Sequence, residues 1–433
     1  MSSVFNWRGA LKAVEVFTPG SFPQHTYVAR EGEVLERALR DAIDTPGQIV
    51  SLVGPSKSGK TVLVEKVVGL DKIVTITGAG IASPEEIWSR VCDSLNVPNT
   101  ETKSSSATKK TGAEVGASGG VSVFGLAKGQ ATAKGSVALD KQTGSTQAVQ
   151  RRGLEDVVEL MKDSENVVLV DDFHYMPREV QAEAAKSLKE AVRRGVKIVT
   201  ASVVHRGDDL VRANPELRGR VRGIDLVYWS DADLKAIAEE GFRLLNAEID
   251  TASLDSLVRE AAGSPQLMQL LCLTACFFFD LRQTQKNKAS VSITPEQLQT
   301  IFEQTSATTD FRSLVDVLDS GPKTRGTERK IYKFKDGSSG DVYRAVLKAV
   351  ASDPPMLSFD YEELGKRANR VCQGETPVGS SMVGTCLHIS RLAAEKFPNE
   401  RAIDWDEQKQ ILDIPDPYLL FYLRWSGRLS EEE

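Results

Sequence analysis

Cysteine is scarce in this chain: five in 433 residues (Cys92, Cys272, Cys276, Cys372 and Cys386), with no CxxC pair and no regular framework. Histidine is scarcer still, at four. These shortages argue against a disulfide scaffold and a structural zinc. With no signal-like N-terminus, they lead us to expect a reducing, cytoplasmic setting. Cys272 and Cys276 stand four apart on an apparent helix, the spacing of two small buried residues on one face. Long hydrophobic runs are also missing. The longest, Leu267 to Leu281, is interrupted by Gln269 and Asp280 and is too short to span a bilayer. It reads as a buried helix, and no membrane partner is expected. Nor is there an excess of either charge. The net of −6 leaves no overall electrostatic footprint for nucleic acid.

What is present is an ordinary globular composition, 41% hydrophobic, on a chain long enough for two or three domains. One run is far from ordinary. Gly54-Pro55-Ser56-Lys57-Ser58-Gly59-Lys60-Thr61 has the P-loop spacing. The apolar stretch 48–53 before it reads as a strand, and Thr61 onward reads as a helix. At such a strand-to-helix turn, successive backbone N–H groups can surround a phosphate. Gly59 lets the chain approach closely. Lys60 is placed to reach the β and γ phosphates, and the Thr61 hydroxyl to bind Mg²⁺.

Composition and periodicity divide the chain. Residues 1–47 read as a lead-in segment. Residues 48–229 alternate strands with helices, the pattern of an α/β parallel sheet with its ligand at the strands' C-terminal edge. Residues 98–150 interrupt that pattern as a Gly/Ser-rich insertion; Ala113 to Asp140 within it reads equally as a β-hairpin or as disordered chain. Residues 230–305 are helical throughout, each segment starting on a capping residue. Residues 306–340 read as a polar linker. Residues 341–426 give three helices followed by two short apolar stretches, 402–405 and 418–425, the order of a winged helix-turn-helix.

The second half of a phosphate site is expected in Val167-Val-Leu-Val-Asp171-Asp172, an apolar strand ending in two acids. Asp171 would hold Mg²⁺ with Thr61. Asp172 occupies the place of a carboxylate that polarises the attacking water, and its short side chain predicts slow turnover. Ser202 ends the next strand, with His205 and Arg206 beyond it. Each reads equally as a γ-phosphate sensor or as a locally satisfied loop residue. Arg218, Arg220 and Arg222 precede the last core strand. Arg220 first, then Arg218, is a candidate to reach a neighbouring subunit's nucleotide; a solvated basic edge is the other reading.

Taken together, these features resemble the AAA+ and STAND ATPases. The resemblance runs over about residues 25–426, apart from the 98–150 insertion. Gly263-Ser264-Pro265 resembles the Gly-x-Pro signature of STAND proteins, which implies that Pro265 couples the lid to the base. The stretch Glu260 to Leu271 lacks the phosphate-reaching arginine usual in AAA+ lids. Tyr27-Val-Ala-Arg30 resembles the motif that places a residue, here Arg30, near the adenine. Leu412 to Trp425 resembles the tail of the winged helix in prokaryotic STAND-like ATPases. The fold implied is a P-loop NTPase core with an all-helical lid and a C-terminal winged helix-turn-helix. The cofactors implied are ATP and Mg²⁺, and the activity a slow ATPase. STAND proteins usually carry sensor repeats and an effector domain; neither is visible, so a separate effector or sensor protein is expected.

The function expected is therefore an ATP-operated switch controlling homo-oligomerisation and a partner effector, in prokaryotic signalling or anti-phage defence. The alternative is a DNA-binding AAA+ ATPase of the origin-recognition or transposition-regulator type. The recognition helix, from Ser380 to Lys396, carries only His388, Arg391 and Lys396 as basic groups, thin for phosphate contacts. A protein-binding winged helix is preferred on that ground.

Overall fold

The computed structural model describes residues 9–97, 100–104, 146–150, 153–203, 214–323, 328–397, 402–407 and 409–430. Five strands build the central sheet: β1 (Ile49–Val53), β2 (Ile73–Thr77), β5 (Val167–Asp171), β6 (Lys197–Ser202) and β7 (Val221–Asp225). They lie in the order β2-β5-β6-β1-β7, all parallel. Between β2 and β5 the chain forms an antiparallel pair, β3 (Thr100–Ser104) with β4 (Thr146–Gln150). The hairpin expected over 113–140 lies outside the described residues. β7 starts at Val221, earlier than the apolar run at 224–228 suggested, because pairing with β1 sets its register rather than side-chain polarity.

Both sheet faces are covered, which is why β5 reads as an apolar run up to Asp171 and β1 as one interrupted only by Ser51. Val167 and Leu169 pack with Leu39, Leu63 and Val64 from helices Val34–Asp44 and Lys60–Val68. Val168 and Val170 face the other way, toward Trp88, Val91, Met161 and Leu188.

Helices Asp231–Leu244, Thr251–Ala261, Pro265–Phe278 and Pro295–Ser306 form the lid. Ser230, Asp250, Ser264 and Thr294 cap them, each side chain accepting from a backbone N–H three residues on. The long apolar run supplies the lid's central helix, with Cys272 and Cys276 both fully buried on one face. Burial pushes the Cys276 thiol up to about 12, so it is an inert packing group. Among the described residues no helix is long and apolar enough to cross a membrane. The segment before the core packs on the lid: Phe17 lies edge-on to Phe242 at 5.5 Å, and the Ala13 N–H donates to the Arg282 carbonyl.

Residues 306–340 do more than link. Helix Arg312–Ser320 is amphipathic, and its Leu314, Val315 and Leu318 enter the C-terminal core. The polar residues on its other face, and the polar stretch after it, hid that stripe. A short hairpin follows, Tyr332–Lys333 with Ser339–Gly340. Then come helix Val342–Ala351, strand Ser358–Asp360, helices Tyr361–Val371 and Gly379–Lys396, strands Asp404–Asp406 and Ile411–Asp413, and helix Pro417–Trp425. The three strands form an antiparallel sheet with Ile411–Asp413 in the middle, a winged helix-turn-helix order. The apolar stretch 418–425 forms a helix. Asp416 caps it and Pro417 starts it.

Arg367 lies fully buried in this domain. Its guanidinium donates to the Ser352 and Pro354 carbonyls, both at 2.7 Å, and to Glu363, and it stacks over Phe359. An Arg367→Leu variant leaves two carbonyls without donors, at about 1–3 kcal/mol each. Denaturant unfolding should show the C-terminal domain weakened by that order, with nucleotide binding intact.

Candidate functional site

Parallel pairing brings the ends of β1 and β5 to one edge, with β6 between them. The chain leaves β1 through Gly54, where a Cβ would stand 2.7 Å from the Leu226 Cβ, so only glycine fits. Lys57 and Gly59 take left-handed backbone conformations (φ 60° and 92°). That reversal turns the loop into helix Lys60–Val68 and leaves its N-terminal N–H groups around the bend. Trp229 braces the loop from outside, its indole N–H donating to the Ser58 carbonyl at 2.9 Å.

Within the loop, Lys60 is buried, and its ammonium donates only to the carbonyls of Gly54 (3.0 Å) and Pro55 (2.7 Å). Burial lowers its pKa, and the nearby charges of Asp171 and Asp172 pull it back up. The buried Ser58 hydroxyl has no partner among the described residues. The Thr61 hydroxyl donates to Asp171 Oδ2 at 2.8 Å, and the Asp172 N–H donates to Asp171 Oδ1 at 2.9 Å. Asp171 is thereby held in one orientation beside a hydroxyl. Asp172 sits next to it with φ 54°; burial, then the Asp171 charge, pushes its carboxyl above the ordinary range. A buried ammonium, a buried hydroxyl with no partner among the described residues and a hard-oxygen pair suit a Mg²⁺-bound triphosphate.

A cavity of about 400 Å³ extends from this loop. Ser56 through Thr61, Asp171 and Asp172 line one part of it. Arg30 and Pro265 line it too. Arg30 is buried, donates to the Val227 carbonyl at 3.0 Å and stacks over Trp229. Pro265 opens the lid helix, so the cavity bridges core and lid.

The sequence matches no family model. It matches no curated protein either. Among solved structures, the chain is similar to a Walker-type ATPase of Pyrococcus abyssi, at 12% identity and TM-score 0.50, over 92% of this chain and 96% of that one. It is also similar to Cdc6p of Pyrobaculum aerophilum (15% identity, 97% and 98% coverage, TM-score 0.42). A third is the ORC2 protein of Aeropyrum pernix (14%, 98% and 100%, 0.47). This is a P-loop NTPase fold. Likeness at these identities speaks to the fold alone.

Other expected residues of the P-loop NTPase core lie away from the cavity. Ser202 ends β6 and its carbonyl accepts from the Gly54 N–H at 3.1 Å. Its side chain is buried and does not line the cavity, so its observed part is to hold the root of the loop. His205 and Arg206 lie outside the described residues. Arg218, Arg220 and Arg222 are exposed at the sheet's opposite edge, since Val221 pairs with Ile49, the first residue of β1. Four strand rises, roughly 13 Å, separate that edge from the loop. Arg220 therefore cannot serve its own site.

Several lining residues escaped sequence reasoning: Trp229, Glu36, Gln269 and the loop Thr18–Pro23. The Pro/Gly-rich loop reads as a simple lead-in, and nothing local reveals that it folds back over the lid. There the Thr18 N–H donates to Gln269 Oε1 (3.2 Å), and Gln269 Nε2 donates to the Thr26 hydroxyl (2.7 Å). The C-terminal domain also meets the P-loop. Lys57 Nζ lies 5.9 Å from the Tyr418 ring, and its charge pulls down the Asp416 carboxyl that burial pushes up.

Proposed function

We propose that this protein is an ATP-binding, slowly hydrolysing switch whose nucleotide state sets how core, lid and winged-helix domain sit together. The observation that carries this reading is the cavity itself. Core residues Lys60 and Asp171 and lid residue Pro265 line the same space, and P-loop Lys57 touches the C-terminal Tyr418. A ligand in that space contacts core and lid directly and meets the winged-helix domain through Lys57, and it shifts their equilibrium by its differential affinity for each arrangement.

In this reading the P-loop amides and Lys60 hold the phosphates, and Thr61 and Asp171 hold Mg²⁺. The metal would neutralise charge on the phosphate oxygens. Asp172 accepts the proton of the attacking water through a short side chain, which keeps turnover low. Arg220, exposed on the far edge, is the cation offered to a second copy, so hydrolysis is fastest in a homo-oligomer. A separate effector or sensor protein, in a signalling or anti-phage role, is the partner this switch would command.

A second reading is a DNA-binding ATPase of the origin-recognition or transposition-regulator type. The order of ATPase core, helical lid and winged helix on one chain fits it at least as well. Against it, the recognition helix is poor in free cations: Arg391 faces Glu407 of the wing at 3.5 Å, and His388 Nδ1 is hydrogen-bonded to the Tyr343 hydroxyl. Salt-dependent duplex binding in a mobility assay decides between the two.

The switch is tested by light scattering with and without ATP·Mg²⁺. Wild type is expected to change mass with ATP and Lys60→Ala to stay fixed. Arg220→Ala should still bind ATP but hydrolyse it more slowly at concentrations where wild type assembles. Identical mass for wild type in both conditions would sink the reading.

A further inference from the structure

We propose that Glu36 selects an adenine base by accepting a hydrogen bond from its exocyclic amine. The inference rests on the nucleotide reading of the cavity and adds the residue that makes it base-specific. Glu36 projects from helix Val34–Asp44, is 5% exposed and lines the cavity. Its two oxygens differ. Oε1 accepts from the Tyr27 hydroxyl at 2.5 Å, whereas Oε2 is buried with no partner among the described residues. A buried acceptor left unmatched is costly, and a ligand N–H that completes it recovers that cost.

Charge fixes which part of the ligand arrives there. The carboxylate repels phosphates, which Lys60 and the loop amides attract, so Glu36 receives the uncharged end. The surroundings suit a flat ring: Phe22, Pro23, Val28, Leu35 and Leu226 also line the cavity, and Phe22 and Tyr27 lie stacked at 6.0 Å. With Oε1 engaged by Tyr27, Oε2 is the oxygen without a partner among the described residues. Adenine presents one amine at its six position and satisfies it. A six-oxo purine presents a carbonyl oxygen in the same pose, an acceptor against an acceptor. Sites built around one polar match reject the analogue that lacks it far more strongly than apolar pockets reject a change of size.

The test is calorimetric titration of the full chain with ATP and with inosine triphosphate, which shares sugar and phosphates and replaces the amine by a carbonyl. Wild type should bind ATP about 10- to 100-fold tighter. In Glu36→Gln the amide can turn either its oxygen or its nitrogen to the base, and the ratio should fall to within about threefold. Equal affinity of wild type for both nucleotides overturns the assignment while leaving the nucleotide reading standing, and needs no variant to fold. An undiminished ratio in Glu36→Gln also overturns it. Failure of wild type to bind either nucleotide removes both. Recognition through a ribose hydroxyl predicts equal affinities and so falls under the first outcome.

Discussion

A Lys60→Ala variant is expected to lose ATP hydrolysis to background while folding as well as wild type. In the folded chain Lys60 is a buried ammonium whose only acceptors are two carbonyls of its own loop. Burial has already lowered its pKa, so its charge costs the empty protein free energy. Removing it relieves that cost but leaves the Gly54 and Pro55 carbonyls without their donor. The two effects oppose, so the melting temperature without nucleotide should stay within a few degrees of wild type. In the proposed reading a triphosphate loses the P-loop ammonium placed to meet its outer phosphates. Deleting a single group that stabilises developing charge costs on the order of 10²–10³ in rate. Wild type should melt higher with ATP·Mg²⁺, as any ligand of the native state requires, and the variant should show no such rise. Phosphate release and thermal melts check both halves. A variant that still hydrolyses ATP, or that ATP·Mg²⁺ stabilises as much as wild type, contradicts the role given to this side chain.

The residues of that site were legible because local chemistry forced them. A strand that turns sharply into a helix over this loop needs glycine at Gly54 and Gly59, and the spacing to Lys60 and Thr61 follows from the loop's path. Asp171 was legible because a fully buried strand has to end in unbroken apolar residues before its carboxylate. What could not be read are contacts made at long sequence separation. The cavity also joins Thr18–Pro23, Glu36, Trp229 and Gln269, and each looks ordinary in its own window. The helix Arg312–Ser320 escaped for a related reason. Three apolar residues on a polar background define a stripe only once the partner core is known. The arginines near β7 show the converse: the sequence marked them, and only the parallel register places them on the edge away from their own loop.

The last helix, Pro417–Trp425, is where a nucleotide signal must pass if the winged helix follows the lid, and Glu260 is its strongest attachment. Glu260 and Arg424 are 6% and 7% exposed and pair through two bonds, at 2.9 and 2.8 Å. The Trp425 indole N–H donates to the same carboxylate at 2.7 Å. Phe302 of the lid packs edge-on to Phe421 at 6.0 Å and lies 4.7 Å from the Trp425 ring. In Glu260→Ala the buried guanidinium keeps the Ala351 carbonyl and the exposed Asp353, and the indole N–H has no acceptor. Breaking a buried ion pair on one side costs about 3–5 kcal/mol. That cost falls on the lid–winged-helix interface, not on the sheet. Denaturant unfolding of Glu260→Ala should therefore split, with the C-terminal unit separating early and the core transition in place. ATP binding should persist, because no atom of the cavity has changed, while the ATP-dependent change in mass disappears. A single unshifted transition would mean that the aromatic contacts alone join lid and winged helix. Loss of ATP binding instead would mean that the lid cannot hold its share of the cavity without this pair.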